Sequence, residues 1–164
     1  MIDYGNEYRK LHSRGRYGIS SEQMVDTIWN HRPKDAKSVL DYSCGQSQLL
    51  DKFPIKIKYQ YDPYVMGRDI KPEGKFDWII NTDVLEHIPE GNIPAYIDEM
   101  LQYGDKVFFA IAIALDTHKL SDGSPAHITV HPKDWWLNYL GKWFDTLTLV
   151  PEIDNRFRFA VKTY

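Results

Sequence analysis

The run Ser38-Val-Leu-Asp-Tyr-Ser-Cys-Gly-Gln-Ser-Gln-Leu-Leu50 limits the possible folds more than any other stretch of this chain. An apolar pair ends in an acid, small residues follow, and a second apolar pair comes after them. That order predicts a buried strand through Val39 and Leu40 and a tight turn at Gly45. A helix should follow, with Leu49, Leu50 and Phe53 on one face until Pro54 stops it. A turn of this kind aims the amides of a helix N-terminus at whatever lies above it, so a polar or carboxylate group of a ligand is expected there. The plain alternative is an ordinary strand–turn–helix corner with no ligand. A dinucleotide fingerprint would need G-x-G-x-x-G, whereas only Gly45 is present, with Ser43 and Ser47 where further glycines would stand.

The flanking segments alternate between strand and helix patterns. Residues 1–19 are rich in Tyr, Arg and Gly without clear periodicity and read as an arm over the domain. Ser20 and Gln23 suggest a capping box for a helix with Met24, Val25, Ile28 and Trp29 on its apolar face. Ile55 to Tyr61 alternates like a strand and ends at Asp62-Pro63, while residues 64–75 hold too little apolar periodicity for a full helix and strand. Phe76 to Ile80 reads as a buried strand. Pro94 begins a helix with Ile97, Met100 and Leu101 turned inward, and Val107 to Leu115 is apolar enough to be a central strand. Pro132 opens a helix carrying Trp135, Trp136, Leu137 and Leu140. Thr146–Val150 and Phe157–Val161 are separated too briefly for a parallel crossover, so an antiparallel pair should close the chain. The expectation is an α/β fold with a mostly parallel, Rossmann-like sheet and an antiparallel final strand.

At 164 residues the chain fits a single domain, with no room for a separate substrate domain. A formal charge of −3 gives no broad footprint for nucleic acid, although Arg9, Lys10, Arg14 and Arg16 form a local basic patch. Cys44 is the single cysteine, so no intrachain disulfide can form and a reducing compartment is expected. No stretch resembles a signal peptide or reaches the length of a membrane span, and the expected location is cytoplasmic.

Asp41-x-Ser43-Cys44-Gly45-x-Ser47 resembles motif I of the class I S-adenosylmethionine (SAM) dependent methyltransferases, usually D-x-G-x-G-x-G. Asp62 matches the acid after that family's second strand, and Asp83-Val-Leu-Glu-His-Ile88 its D/E-V-L-E-H-I segment. The three matches occur in the family's order, and together with the strand and helix alternation that closes in an antiparallel pair the resemblance covers nearly the whole chain, with the family's third strand shortened at residues 64–75. The resemblance implies SAM as cofactor. Asp62 and Pro63 would border the ribose, Asp41, Ser43, Cys44, Gly45 and Ser47 the methionine end, and Asn81, Thr82 and Asp83 the sulfonium, with Tyr17 reaching in from the arm. The methyl acceptor would be a small molecule or a nucleic acid. The arm and residues 122–136 are also similar to small bacteriophage-encoded methyltransferases. A SAM-binding module without catalysis, or a NAD-dependent oxidoreductase, are the competing readings.

Methyl transfer needs a proton acceptor, and His87, His127 and His131 suit that role near neutral pH. The acceptor pocket is expected from the arm, residues 88–94 and residues 116–136, with Tyr17, Trp135 and Trp136 available to stack a planar group. If a helix starts just after the strand ending at Ile80, then Asp83, Glu86 and His87 share one face at i, i+3 and i+4. That spacing suits metal ligands. The segment resembles E-x-x-E-H in the ubiquinone-pathway O-methyltransferases and the small-RNA 2′-O-methyltransferases, the latter adding a histidine where His127 stands. The implied ligand set is Asp83, Glu86, His87 and His127, a mixed oxygen and nitrogen shell for Mg, Mn, Fe, Co or Zn.

Overall fold

A computed structural model describes residues 3–13, 15 and 17–164, which leaves Arg14 and Arg16 of the basic patch outside the described residues. Six strands form one sheet: β1 Ser38–Tyr42, β2 Ile57–Tyr61, β3 Trp78–Thr82, β4 Val107–Ala112, β5 Thr148–Asp154 and β6 Arg158–Lys162. Their order across the sheet is β2-β1-β3-β4-β6-β5. β1 pairs in parallel with both β2 and β3, and β3 in parallel with β4. β6 inserts between β4 and β5 and runs antiparallel to both, so it alone opposes the rest. The expected sheet is therefore present, and its final strand is the reversed one. Pro151 lies within β5, where the outer edge of the sheet tolerates a residue without an N–H.

Period-two alternation in the strands builds a core on each face. Leu40, Ile79, Val107, Phe109 and Ile111 point one way and pack on α3 (Ile93–Met100) and α4 (Lys133–Leu140) through Ile93, Ile97, Met100, Trp136 and Leu140. Val39, Trp78, Ile80, Phe108 and Ala110 point the other way. They meet Met24, Ile28 of α2 (Val25–Asn30), and Leu49, Leu50 and Phe53. All six β4 residues are buried, as the apolar run through Val107 requires.

Three expectations need correction. The arm contains a helix, α1 (Tyr4–Ser13), which buries Glu7, Tyr8, Leu11 and His12. Its Tyr8 and Leu11 form a third small cluster with Leu120 and Ala126, contributed by a distant loop. The capping box at Ser20 does not form; a 3-10 turn at Ser20–Met24 precedes α2, and the Ser20 hydroxyl bonds to Asp83 instead. The helix expected after Gly45 is one 3-10 turn, Leu49–Lys52, because Pro54 leaves no length to propagate it. No strand or helix occupies residues 64–75.

Candidate active site

The parallel strands β1, β2 and β3 end on the same edge of the sheet, where an open α/β sheet forms its ligand crevice. Immediately beyond them stand Ser43, Asp62 and Asp83. Ser43 and Asp83 both adopt left-handed backbone, with φ of 62° and 54°, which turns the chain sharply away from the sheet. Above this edge lies an open cavity of about 1050 Å³. Ser43, Cys44, Gly45, Asp62 and Pro63 line one side. α1 and the Tyr17–Ser21 segment cover it, and Ile88, Pro89, Asp116, His118 and His127 close the far side. The walls therefore come in part from the arm, the loop after His87 and the segment from Asp116 to His127.

The motif turn is held by groups outside it. Asp62 accepts the Gly45 N–H on Oδ2 and the Tyr64 N–H on Oδ1, both at 2.8 Å. At 3% exposure it is a buried bridge between two turns, not the surface acid its place before Pro63 suggests. Arg68 donates to the carbonyls of Gly45 (2.9 Å) and Ser47 (2.7 Å) from below. Tyr96 donates to Ser43 Oγ at 2.9 Å and accepts from Asn81 Nδ2 at 2.7 Å, so α3 fixes the position where the family motif has its first glycine. Asp41, Ser47 and Asn81 lie buried beneath the cavity floor and support it without lining it. Burial, opposed by Arg68 and reinforced by Asp62, pushes the Asp41 carboxyl up to about 7.

Gly45 has φ 55°, and a Cβ there would lie 2.7 Å from the Gly18 carbonyl oxygen and 3.2 Å from His12 Cε1. The arm thus rests directly on the turn. Three of the amides in the turn are committed: Cys44 N–H donates to the Tyr61 carbonyl (3.0 Å), Gly45 N–H to Asp62, and Ser47 N–H to the Cys44 carbonyl (3.2 Å).

The Asp83 segment departs from the helical spacing. A 3-10 turn, Leu85–His87, follows β3, and the left-handed Asp83 sends its side chain to Arg158 Nη2 (2.9 Å) and to the Ser20 hydroxyl. Glu86, His87 and His127 converge without it, each offering a ligand atom within 4.8 Å of the others. His87 Nδ1–H donates to the Ala126 carbonyl (2.9 Å) and His127 Nδ1–H to that of Ala114 (2.6 Å), which leaves both Nε2 atoms with free lone pairs. Glu86 is fully buried; Oε1 accepts the Ala112 N–H at 2.9 Å, and Oε2 has no partner. Burial and the neighbouring Asp83 hold its carboxyl well above the usual range. Burial, reinforced by His127, holds His87 down to about 4.

His131 lies away from the cavity, stacked on Trp135 with ring centroids 3.7 Å apart and bonded to Glu90 at 3.0 Å. Trp135 is stacked between His131 and Tyr139, and Trp136 is a core residue; neither lines the cavity. Sequence reasoning missed Tyr8, His12, Ser20, His118 and Arg158, all in the cavity wall. The first two had a signal: Tyr4, Tyr8, Leu11 and His12 fall at i, i+4, i+7 and i+8, one helical face. In the basic patch, Lys10 is paired with Glu7 (2.8 Å) and Arg9 lies over the Tyr64 ring.

No protein-family model matches the sequence, and no curated protein matches it significantly. The fold has clear counterparts among solved structures. The methyltransferase domain of bacterial CtHen1-CN superposes with a TM-score of 0.58 at 16% identity, covering 89% of this chain and 100% of that one. Magnesium protoporphyrin IX methyltransferase (ChlM) from Synechocystis PCC 6803, with bound SAM, gives 0.56 at 14% identity over 99% and 97% of the two chains. The Burkholderia thailandensis 1,6-didemethyltoxoflavin-N1-methyltransferase, bound to 1,6-didemethyltoxoflavin and S-adenosylhomocysteine, gives 0.63 at 13% identity over 96% and 84%. This chain has the Rossmann-like fold shared by those methyltransferases.

Proposed function

We propose that this protein is a SAM-dependent methyltransferase acting on an oxygen or nitrogen of a small-molecule or nucleic-acid acceptor. The observation that carries the reading is the cavity at the carboxyl edge of a methyltransferase-like sheet, with the Ser43–Gly45 turn and Asp62 side by side at its floor. Each Asp62 oxygen accepts one amide and keeps a second lone pair, enough for a ribose hydroxyl on each. At about 1050 Å³ the space exceeds what a single drug-sized ligand fills, so cofactor and acceptor fit together.

The methyl group arrives already activated on a positive sulfur, so the chain's work is to align the two reactants, exclude water and take a proton. Alignment falls to Asp62, the Ser43–Gly45 turn and the Thr82–Asp83 corner. The arm, seated on Gly45, shields the centre. Proton removal falls to His87 or His127, each with Nδ1 bonded to a backbone carbonyl and Nε2 without a hydrogen-bond partner at the cavity wall. Calorimetry with SAM, S-adenosylhomocysteine and NAD tests the cofactor, and tight binding of NAD alone would overturn the reading. Turnover on hydroxyl, amine and nucleic-acid acceptors then separates an enzyme from a silent SAM-binding module.

A metal-assisted version is favoured by one specific observation, the partnerless Glu86 Oε2 beside two histidines whose Nε2 atoms are free. Glu86, His87 and His127 fit a divalent cation such as Mn, Fe, Co or Zn, and Asp83, turned toward Arg158 and Ser20, is not among the groups that converge there. A cation held there would lower the pKa of an acceptor hydroxyl. Chelation followed by readdition of Mn decides between the versions: full activity in chelator removes the metal and leaves the histidines as bases.

A further inference from the structure

With the methionine end of SAM at the Ser43–Gly45 turn and its ribose on Asp62, the adenine has to leave Asp62 on the side away from Gly45. Residues 64–75 form neither strand nor helix there, so no strand beyond β2 offers a base its contacts. Tyr59 of β2 donates to the Ile70 carbonyl at 3.2 Å, which brings the next residue, Lys71, to the cavity wall. α3 supplies the neighbouring wall. Asn92 at its start, Ala95, Tyr96 and Glu99 stand at i, i+3, i+4 and i+7, and all of them line the cavity.

Lys71 and Glu99 meet where these walls join. Lys71 Nζ lies 2.7 Å from Glu99 Oε1, and Tyr42 at the end of β1 donates to the same oxygen at 3.1 Å. Glu99 Oε2 has no hydrogen-bond partner among the described residues, and with the two side chains 62% and 39% exposed both charged ends are open to a ligand. Tyr61 and Tyr96 connect the pair to Asp62: Tyr96 feels the charges of Asp62 and Glu99, and Tyr61 those of Lys71, Glu99 and Asp62. An acceptor beside a donor is the complement of adenine, which presents its N6 amine next to a ring nitrogen, N1 or N7, that accepts. Other polar groups of the wall do not offer that pair. The Tyr61 hydroxyl can donate or accept and does not choose between bases, Asn92 stands about two helical turns from Glu99 and beside Pro89, and the Tyr64 ring lies under Arg9 and next to Tyr8.

We propose that Lys71 and Glu99 read the cofactor's adenine, Glu99 Oε2 accepting from the N6 amine and Lys71 Nζ donating to N1 or N7. The assignment rests on the SAM reading above. Lys71 carries three N–H donors and needs only one for Glu99, so the ion pair survives when the base arrives. A base with oxygen in place of the amine would set a lone pair against the carboxylate and is refused.

The test pairs a change on the protein with one on the ligand. Calorimetry compares S-adenosylhomocysteine with S-inosylhomocysteine, in which oxygen replaces the N6 amine, on wild type and on Glu99→Gln. A hydrogen bond to a charged group that stays partly in water corresponds to about tenfold in affinity, and wild type should prefer the adenine ligand by that factor. The Gln amide can turn either its oxygen or its N–H to the base, so Glu99→Gln should bind both ligands alike. Retained preference in Glu99→Gln, or none in wild type, means a surface ion pair only and overturns the proposal. Should Glu99→Gln fail to fold, Lys71→Met at its exposed site carries the test: it should bind S-adenosylhomocysteine about tenfold more weakly, and unchanged affinity overturns the proposal equally. If wild type binds neither ligand, the SAM reading itself has failed, and the two failures are thereby told apart.

Discussion

Replacing Asp62 with alanine probes how the crevice is held together. The sequence places this acid at a strand end, a position that by itself asks nothing of the core. In the structure its two oxygens each hold an amide at 2.8 Å, the Gly45 one buried and the Tyr64 one partly so, and those amides belong to different turns, one after β1 and one after β2. Alanine strands both donors. Hydrogen bonds to a charged group contribute about 1.5–3 kcal/mol each, so the pair gives about 3–6 kcal/mol before relaxation. Water entering from the adjoining cavity can satisfy part of the deficit, and a net loss of about 2–4 kcal/mol is expected. That is a large fraction of the roughly 5–15 kcal/mol that holds a typical domain. Urea unfolding of the ligand-free protein, followed by far-UV circular dichroism, measures it. Asp62→Asn keeps one acceptor oxygen and should lose about half as much. A loss under about 1 kcal/mol for alanine, or no difference between the two variants, would show that Asp62 does not bridge the turns.

Three further outcomes follow from the same geometry. Gly45→Ala places a Cβ against the Gly18 backbone in a left-handed conformation; it should free α1 from the turn, seen as faster protease cleavage in residues 3–20 with the sheet intact, and unchanged cleavage would refute the contact. Tyr8→Phe removes a hydroxyl that donates to the His87 and Ala126 carbonyls at 2.8 and 3.1 Å, and should cost about 1–2 kcal/mol in the same unfolding assay; an equally stable variant would mean that the arm is held by apolar contact alone. Asp41, with its ordinary carboxylate pKa raised to about 7 by burial, binds a proton in the folded chain that the unfolded chain has released, so its contribution to stability falls as pH rises from about 4 to 7 and then levels. Asp41→Asn should therefore gain on wild type by roughly 3 kcal/mol between pH 5 and pH 8, at about 1.36 kcal/mol per unit, and a pH-independent gap would sink the assignment. His87, held down to about 4, works in the opposite sense: it stays neutral in the fold, and its contribution is lost as pH falls from about 6.5 through 4, which should flatten the wild-type profile over the range where the two overlap.

What the sequence determined is what nearest neighbours along the chain decide. Alternating and continuous apolar runs mark β1, β3 and β4 because a strand's facing is set residue by residue. The short span between Val150 and Phe157 forces a hairpin, and acids at strand ends fall on one edge once the strands are parallel. The tertiary structure decided everything that depends on a distant partner. Asp83, Glu86 and His87 share a helical face only if a helix forms; Arg158 and Ser20 instead draw Asp83 aside, and His127 joins the other two from a loop anchored to the Ala114 carbonyl. α1 has a modest stripe of Tyr8, Leu11 and His12 that becomes a buried face only when Leu120 and Ala126 close over it. His131 resembles its fellow histidines in sequence, yet the stack on Trp135 turns it away from the cavity. The Cys44 and Gly45 amides read as free donors until Tyr61 and Asp62, contributed by another strand and the turn after it, take them up. Side-chain direction and hydrogen-bond supply are properties of the assembled neighbourhood, and no local pattern encodes them.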